Sequence, residues 1–422
     1  KELLVRDFII SNIKEVMIKY GFQYLETPSF EYSDSIGKFL PDKERPDEGV
    51  FSFRDENKWL SLRYDLTAPL ARYVAKNFLE IPKPFKRYQL GTVWRNEKPG
   101  PGRFREFLQF DADFVGTKSL QADAELCVMI SEILENCGLT KSEYIIKISS
   151  RKITEELFKK ININENQQKL TALRALDKID RLGWDGVKEL LGAGRKDKSG
   201  DFTKGANLKS EDIEVIEKTL KKKSPETEDL AEILKIFKDY NFTNFEFDPS
   251  IIRGLEYYTG VIFEVNLKFD VKNKKGQVIQ FGSIGGGGRY DNLVNNFGNF
   301  DAPATGISIG LDRLVYALMQ KKEFKVKQSK PVVICVFDKN SMKEYINVQT
   351  ILRKAGISAE IYPGESKLKK QMEYANKIKS PAVILYGEDE IKLGKPTLRN
   401  LSSGKEQSIK IKELVNEIKK II

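Results

Sequence analysis

The segment from Lys83 to Gly116 constrains the fold most, because it alternates polar and apolar residues over two runs joined by a loop rich in glycine and proline. Successive side chains of a strand point to opposite faces, so this alternation predicts a β-hairpin with one apolar face. The opposite face carries Arg87, Gln89, Arg95, Arg105, Phe107, Gln109, Asp111 and Asp113. Arginine suits bidentate contacts with phosphate or carboxylate, which favours a binding site. A water-facing amphipathic hairpin is the alternative that this stretch leaves open.

The chain of 422 residues contains no histidine, and this excludes several kinds of active site. A histidine general base, a Ser-His-Asp triad and a histidine-ligated metal are all impossible. Any chemistry must depend on arginine, lysine, carboxylates, tyrosine, bound metal or the substrate. Cys127, Cys137 and Cys335 lack metal-binding spacing and predict reduced core residues in a cytoplasmic protein. The apolar runs are short, the longest being Val332 to Phe337, so we expect no membrane span.

Composition divides the chain into a large first domain and a basic end. The net charge is +10, and residues 326–422 hold 19 Lys and Arg against 11 Asp and Glu, an excess of +8. A basic module predicts a polyanionic partner, and a lysine-rich solvated surface is the alternative. We assign residues 1–322 to the first domain, 323–330 to a linker and 331–422 to an α/β module. Charged helical patterns dominate residues 150–244 and predict a helical insertion.

Several local patterns add to this outline. Asp65 and Thr67 end a predicted strand, where binding residues collect, and Thr67 is predicted to cap the following helix. The residues from Lys169 to Leu191 are predicted to form one helical segment. The glycine-dense segment from Gly282 to Leu293 has the wrong spacing for a dinucleotide site. Its four consecutive glycines instead predict a strand that closely approaches another backbone or a ligand.

Taken together, these segments resemble the class II aminoacyl-tRNA synthetases and, within them, the histidyl-tRNA synthetase family. The matching segments are Pro28, Leu62–Ala75, Trp94–Glu97 with Phe107, Arg253–Gly260, Gly286–Leu293 and Gly306–Arg313. The resemblance implies an α+β catalytic domain on a mostly antiparallel sheet with a helical insertion. It also implies a C-terminal α/β anticodon-binding domain, and a homodimer whose interface is built around Pro28.

The resemblance implies ligation of histidine to its cognate tRNA through a histidyl-adenylate, with ATP as substrate. Arg95 and Arg253 would be the catalytic residues, holding the α-phosphate from two sides, because preorganised positive groups stabilise its developing charge. The implied ATP-binding residues are Arg95, Glu97, Arg103, Phe107 and Arg313. Mg²⁺ would be held mainly by the phosphates, since it dehydrates reluctantly, and no protein metal site is expected.

The implied histidine-binding residues are Asp65, Thr67, Gln109, Asp113, Arg253, Tyr258 and Tyr290. Of these, Asp65, Thr67 and Gln109 would hold the α-amino group. Asp113 and Tyr258 would hydrogen-bond the imidazole, and Tyr290 would close the pocket. A carboxylate that requires an N–H donor rejects analogues that lack one.

Three neighbouring residues are interpreted as structural: Tyr257 as core, Asp111 in an ion pair and Asp291 as the cap of a turn. The alternative to a synthetase is a non-catalytic regulatory subunit of histidine biosynthesis that uses the same fold to sense the amino acid. Such relatives lose the catalytic arginines and usually the terminal domain, whereas this sequence retains both.

Overall fold

The hairpin predicted from the alternating segment belongs to the largest sheet of the computed structural model. The structure describes residues 2–33, 49–100, 102–197, 200–222, 224, 227–252, 258–279, 281–321, 324, 330–364 and 366–422. The chain divides into two units, Lys1–Phe324 and Lys325–Ile422, each with its own sheet and apolar core.

The first unit contains fifteen strands and ten helices within its described residues. The strands are β1 Gln23–Tyr24, β2 Phe30–Tyr32, β3 Ser52–Asp55, β4 Lys58–Leu62, β5 Phe85–Trp94, β6 Glu106–Val115, β7 Tyr144–Ser150, β8 Gly194–Lys196, β9 Phe202–Lys204, β10 Phe245–Phe247, β11 Val261–Leu267, β12 Val271–Lys272, β13 Val278–Ile279, β14 Ser283–Arg289 and β15 Ala304–Gly310. The helices are α1 Glu2–Lys19, α2 Thr67–Lys76, α3 Leu120–Asn136, α4 Arg151–Lys160, α5 Asn166–Leu176, α6 Ile179–Leu191, α7 Ser210–Leu220, α8 Glu228–Asp239, α9 Asn295–Gly298 and α10 Leu311–Gln320.

The large sheet has eight strands in the order β1-β5-β6-β15-β14-β11-β7-β10. All neighbours from β5 to β7 are antiparallel, and only the two edge pairs, β1 with β5 and β10 with β7, are parallel. The predicted hairpin pairs without a slip from Phe85 opposite Val115 to Trp94 opposite Glu106. The prediction of a mostly antiparallel sheet is therefore confirmed.

The polar face of the hairpin lies inside the unit. Arg87, Gln89, Gln109, Asp111 and Asp113 are all buried. On the apolar face, Tyr88, Phe110, Ala112 and Phe114 are buried too, so both sides of these strands are removed from bulk water away from the loop end, where Arg105 is exposed. Burying charged side chains is costly unless they have partners, and a water-facing hairpin would not require it. The structure thus excludes the water-facing alternative.

The helical region between β7 and β10 contains α4 to α8 and the small hairpin of β8 and β9. The prediction of one helical segment from Lys169 to Leu191 was wrong. Helix α5 ends at Leu176 and α6 begins at Ile179, and Gly183 leaves the helical conformation inside α6 with φ 65° and ψ 177°. Apolar spacing continues across the turn, so periodicity alone could not show it.

The glycine-dense strand β14 lies between β11 and β15 and is antiparallel to both. A Cβ atom on Gly287 would collide with the carbonyl oxygen of Gly306 in the neighbouring strand. The glycine run therefore permits close backbone approach, as predicted. Antiparallel neighbours are incompatible with the βαβ unit of a dinucleotide site.

The second unit has a five-stranded sheet in the order β17-β16-β18-β19-β20. Its strands are β16 Val332–Ile334, β17 Ala359–Ile361, β18 Ala382–Leu385, β19 Thr397–Asn400 and β20 Glu406–Ser408. Its helices are α11 Met342–Lys354, α12 Leu368–Lys377, α13 Glu388–Leu393 and α14 Ile411–Lys419. The predicted α/β module is confirmed. Across the described part of the chain, no helix has both the length and the apolar character needed to cross a membrane.

Candidate active site

Asp113 lies on β6 at the buried centre of the site, with only 1% of its surface exposed. Its neighbours on adjacent strands are Arg87 and Gly306. Arg87 Nε lies 3.3 Å from Asp113 Oδ2, while the Tyr290 hydroxyl donates to Oδ1. Oδ2 receives no hydrogen bond from the described residues. Burial raises the pKa of Asp113 to about 7, although the Arg87 guanidinium acts to lower it.

The segment before α2 reaches the same pocket. Asp65 Oδ1 accepts hydrogen bonds from the backbone N–H groups of Thr67 at 3.2 Å and Ala68 at 2.9 Å. The Thr67 hydroxyl donates to Asp111 Oδ2 at 3.2 Å. The prediction that Thr67 caps the helix was wrong, because Thr67 is its first residue and Asp65 accepts from the free N–H groups. Burial raises the pKa of Asp65, and these N–H groups oppose the rise.

Gln109 connects this pocket with the arginine-bearing part of the site. Its Nε2 donates to Asp111 Oδ1 at 2.7 Å and to Ser308 Oγ at 3.4 Å. Its Oε1 accepts from Arg95 Nη2 at 3.5 Å. We predicted a structural ion pair for Asp111, but the described residues surround it with hydrogen-bond donors. Burial raises the pKa of Asp111 as well.

Arg95 is held between two aromatic rings. Its guanidinium carbon lies 4.5 Å from the ring centre of Tyr64 and 5.1 Å from that of Phe107. Arg95 Nε donates to the Tyr64 carbonyl oxygen at 3.3 Å, and the Tyr64 hydroxyl donates to Glu97 at 3.0 Å. Of the residues predicted to bind ATP, Phe107 thus contacts Arg95 directly, and Glu97 is linked to Arg95 through Tyr64.

The other two predicted ATP residues converge on Gly282. A Cβ atom there would lie 3.7 Å from Arg313 Nη2 and 4.0 Å from Arg103 Nη2. The Arg313 guanidinium lies 4.5 Å from the ring centre of Phe281 and donates to the carbonyl oxygen of that residue. The guanidinium groups of Arg103 and Arg313 carry the same charge and lie near the same residue, so they repel each other. A bound polyanion would relieve this repulsion.

Two tyrosines border the carboxylate pocket. Tyr290 is buried and donates to Asp113, so its hydroxyl supports that carboxylate. Tyr258 is half-buried, and its ring approaches the backbone at Gly288. Burial, together with the charges of the nearby carboxylates, raises the pKa of Tyr258 above its ordinary value. Both hydroxyls therefore remain protonated hydrogen-bond donors at neutral pH.

Two predictions lie outside the described residues, namely the catalytic Arg253 and the core residue Tyr257. Asp291 is described and accepts hydrogen bonds from Thr259 Oγ1 at 2.9 Å and Arg289 Nη1 at 3.4 Å. It therefore joins two neighbouring segments next to the pocket.

Sequence reasoning did not assign a role to Arg87, Tyr64 or Ser308, although all three contact predicted site residues. Arg87 had the clearest signal, because the alternation placed it on the polar face of the hairpin. Tyr64 precedes Asp65 directly, but nothing in its spacing indicated that it would contact Arg95. Among the described residues, no group of three Asp, Glu or Cys side chains is arranged to hold a metal ion.

Comparison with protein families and known proteins agrees with this geometry. The family described as histidyl-tRNA synthetase matches residues 5–314, and an anticodon-binding domain family matches residues 330–421. The chain is 46% identical to the histidine–tRNA ligase of Bartonella quintana (strain Toulouse), covering 98% of this chain and 89% of the relative. It is 44% identical to the histidine–tRNA ligase of Brucella ovis, covering 98% and 88%.

A solved structure extends the likeness to the fold. The crystal structure of histidyl-tRNA synthetase from Nostoc sp. PCC 7120 superposes with a TM-score of 0.81 at 27% identity. This match covers 100% of the present chain and 96% of the other. Both the matched families and the relatives of nearly full length indicate a two-domain class II synthetase. The chain belongs to the histidyl-tRNA synthetase family.

Proposed function

We propose that this chain ligates histidine to its cognate tRNA in two steps. In the first, the histidine carboxylate attacks the α-phosphorus of ATP, which forms histidyl-adenylate and releases pyrophosphate. In the second, a hydroxyl of the 3′-terminal ribose attacks the acyl carbon and releases AMP. The observation that carries this proposal is the direct link through Gln109 between a buried carboxylate pocket and a set of arginines.

The carboxylate pocket would bind the amino acid. Asp113 Oδ2 is buried and receives no hydrogen bond from the described residues, so an imidazole N–H would satisfy it. Tyr258 would hydrogen-bond the ring as well, and Tyr290 would close the pocket. Asp65, Thr67 and Gln109 would hold the α-amino group at the opposite end.

The arginines would bind ATP. Arg95 would hold the α-phosphate together with Arg253, where charge grows in the transition state. Glu97 and Phe107 would contact the adenine, while Arg103 and Arg313 would hold the distal phosphates or the ribose. Mg²⁺ would accompany ATP as part of the substrate and be held mainly by its phosphates, because this ion gives up its water reluctantly.

The transfer step requires a proton acceptor other than an enzyme imidazole, since the chain has no histidine. A phosphate oxygen of the adenylate would accept the proton from the ribose hydroxyl. Single substitutions of the pocket carboxylates test this idea. A variant that forms the adenylate normally but cannot transfer histidine would contradict it.

The alternative is a non-catalytic regulatory subunit that senses histidine. The arginine set opposes it, because a protein that only senses histidine does not need Arg95 beside Gln109 or two further arginines converging on Gly282. Relatives named as ligases over 98% of the chain also oppose it. The basic second unit supports binding to a polyanion such as tRNA.

The test is ATP–pyrophosphate exchange measured with each of the twenty amino acids. Exchange that depends on histidine alone is the expected result, and no exchange, or exchange with another amino acid, would refute the proposal. Arg253→Ala should fold normally but lower the exchange rate by about 100-fold or more, roughly the effect of one transition-state donor.

We infer that the working form is a cytoplasmic homodimer. The small sheet β2-β4-β3 exposes Phe30, Tyr32, Phe53 and Trp59, the last with 56% of its surface accessible. Such an aromatic patch is typical of a protein interface. The three cysteines are free and buried, which suits a reducing compartment. In sedimentation experiments, we expect the wild type to be a dimer and Trp59→Glu to be a monomer. A monomeric wild type would contradict the inference.

A further inference from the structure

Arg87 is buried within β5 and contacts both ends of the proposed histidine pocket. Its surface is 0% exposed. Its Nη2 donates to the carbonyl oxygen of Leu66 at 2.7 Å, and its Nε lies 3.3 Å from Asp113 Oδ2. Leu66 separates Asp65 from Thr67, the two residues proposed to hold the α-amino group.

The geometry of a guanidinium explains what such a residue can do. Arginine presents donors in a rigid planar fork, so two acceptors bound to one guanidinium are fixed relative to each other. Here the guanidinium donates a hydrogen bond to the backbone that carries Asp65 and Thr67, and it forms an ion pair with the carboxylate of Asp113. A buried charge of this kind is costly unless an opposite charge lies beside it, and Asp113 supplies that charge.

We propose that Arg87 is a positioning residue for histidine, which fixes the carboxylate that binds the imidazole relative to the segment that binds the α-amino group. This inference rests on the proposed function. Arg87 acts through Asp113 and the backbone of Leu66, and it does not itself contact the substrate. Its loss should therefore weaken recognition of histidine much more than recognition of ATP.

The charges around Asp113 give Arg87 a second effect. Five charged or titratable side chains from neighbouring elements surround this carboxylate. They are Arg87 on β5, Asp111 on β6, Asp65 before α2, Tyr258 before β11 and Tyr290 after β14. Without the guanidinium, several carboxylates would face one another in a buried site, which favours protonation of Asp113. A protonated carboxyl accepts an imidazole N–H less strongly than a carboxylate does.

The experiment compares Arg87→Met, Arg87→Lys and wild type in ATP–pyrophosphate exchange, with histidine and ATP varied separately. Removing one partner of a buried charge pair is expensive, so Arg87→Met should raise KM for histidine about 30-fold or more and KM for ATP about 3-fold or less. Arg87→Lys restores the charge but not the fork, and should recover part of the loss. KM for histidine should fall as Asp113 loses its proton with rising pH. In Arg87→Met this fall should occur at a higher pH than in wild type, because the guanidinium no longer favours the carboxylate form.

Lys86→Met is the matched control. Lys86 is the preceding residue of the same strand, points to the opposite face and pairs with Glu125 at 2.8 Å. Its substitution removes a cation from β5 without altering the histidine pocket. It should leave KM for histidine and its pH dependence within about 2-fold of wild type, as expected for a part-buried pair on the opposite face of the strand.

A double variant shows whether Arg87 acts through Asp113. In an Asp113→Asn background, Arg87→Met should have a much smaller effect on KM for histidine, because coupled residues are not additive. The double variant removes both charges of the pair, so it leaves no unpaired buried charge and is expected to fold even if Arg87→Met alone does not. An undiminished effect in this background would overturn the inference.

The outcomes separate the inference from the proposed function. If wild type shows no histidine-dependent exchange, the proposed function fails. If wild type exchanges but Arg87→Met changes KM for both substrates equally, or only lowers the melting temperature, the inference fails and the proposed function stands. A rise confined to KM for histidine, with partial recovery in Arg87→Lys, supports it.

Discussion

The two halves of the site hold their charges in different ways. In the carboxylate half, Asp111, Asp113 and Gln109 are buried, and hydrogen bonds fix each of them. In the arginine half, Arg95 and Arg313 are only partly buried and rest on aromatic rings, while Arg103 is exposed. One half is built into the strands of the sheet, and the other lies beyond their ends, in the connection between β5 and β6 and on α10.

On the proposed roles of the two halves, this difference suits two kinds of recognition. Buried carboxylates lose their hydration when the protein folds, so an incoming N–H donor meets a preorganised acceptor in a low-dielectric pocket. Such a site discriminates strongly, because a ligand without the donor leaves the carboxylate unsatisfied. Arginines in contact with water attract a polyanion over a longer range, but dissolved salt screens them. The carboxylate half therefore suits selection, and the arginine half suits capture.

Arg95 belongs to both halves, and its removal should have the largest effect. Arg95→Ala should lower the rate of ATP–pyrophosphate exchange about 100- to 1000-fold, because a preorganised donor to the transition state is lost. Arg105→Ala is the control, since Arg105 is exposed and stacks on Phe51 at 4.7 Å in the same loop region. A loss of less than 10-fold for Arg95→Ala, or equal losses for the two variants, would place Arg95 outside the catalytic step.

The burial of Asp113 should appear as a pH dependence of stability. Its pKa is about 7 in the folded protein against an ordinary 3.8, so the folded state binds more protons between these values. The free energy of unfolding therefore falls as the pH rises from about 4 to about 7. Asp113→Asn removes this contribution.

Urea unfolding of both proteins at pH 5 and pH 8 measures the effect. The stability of wild type relative to Asp113→Asn should decrease by about 2 kcal/mol between the two pH values. If the free energy of unfolding of wild type minus that of Asp113→Asn does not change with pH, or increases with pH, the pKa of Asp113 is not raised in the folded protein. Glu125→Gln is the control, because that carboxylate lies on α3 and pairs with Lys86 at a part-buried position.

The smallest of these effects is expected at the exposed edge of the arginine half. Arg103→Ala should raise KM for ATP about 3- to 10-fold at low salt, and the difference should shrink as salt increases. Lys98→Ala, an exposed cation in the same loop, should change KM for ATP less than 2-fold if position matters more than charge. If both variants change KM for ATP equally, this part of the site attracts ATP only through its diffuse positive charge, and Arg103 has no specific role.

The sequence was most informative where a pattern is local. Alternation predicted the hairpin of β5 and β6, together with the face that carries the site residues. Strand and helix runs predicted the α/β module at the end of the chain. The family resemblance supplied the remaining site residues, and Arg253 among them lies outside the described structure.

What the sequence could not show depends on contacts between distant segments. Alternation placed Arg87 on the correct face, but its partners Leu66 and Asp113 lie 21 and 26 positions away along the chain. The cap of α2 was missed because Asp65 and Thr67 are both residues that favour helix starts. Which of them accepts the N–H groups depends on where the preceding strand ends and on the position of Asp111.

Gly306 has a consequence for how the amino-acid preference can evolve. A Cβ atom at this position would collide with Oδ1 of Asp113. Any other residue there would displace the acidic side chain, whereas a larger residue in place of Asp113 would meet the bare backbone of β15. A side chain at position 306 is therefore compatible only with a changed or displaced residue at position 113. On the proposed role of Asp113, the preference for histidine depends on a neighbouring position that has no side chain.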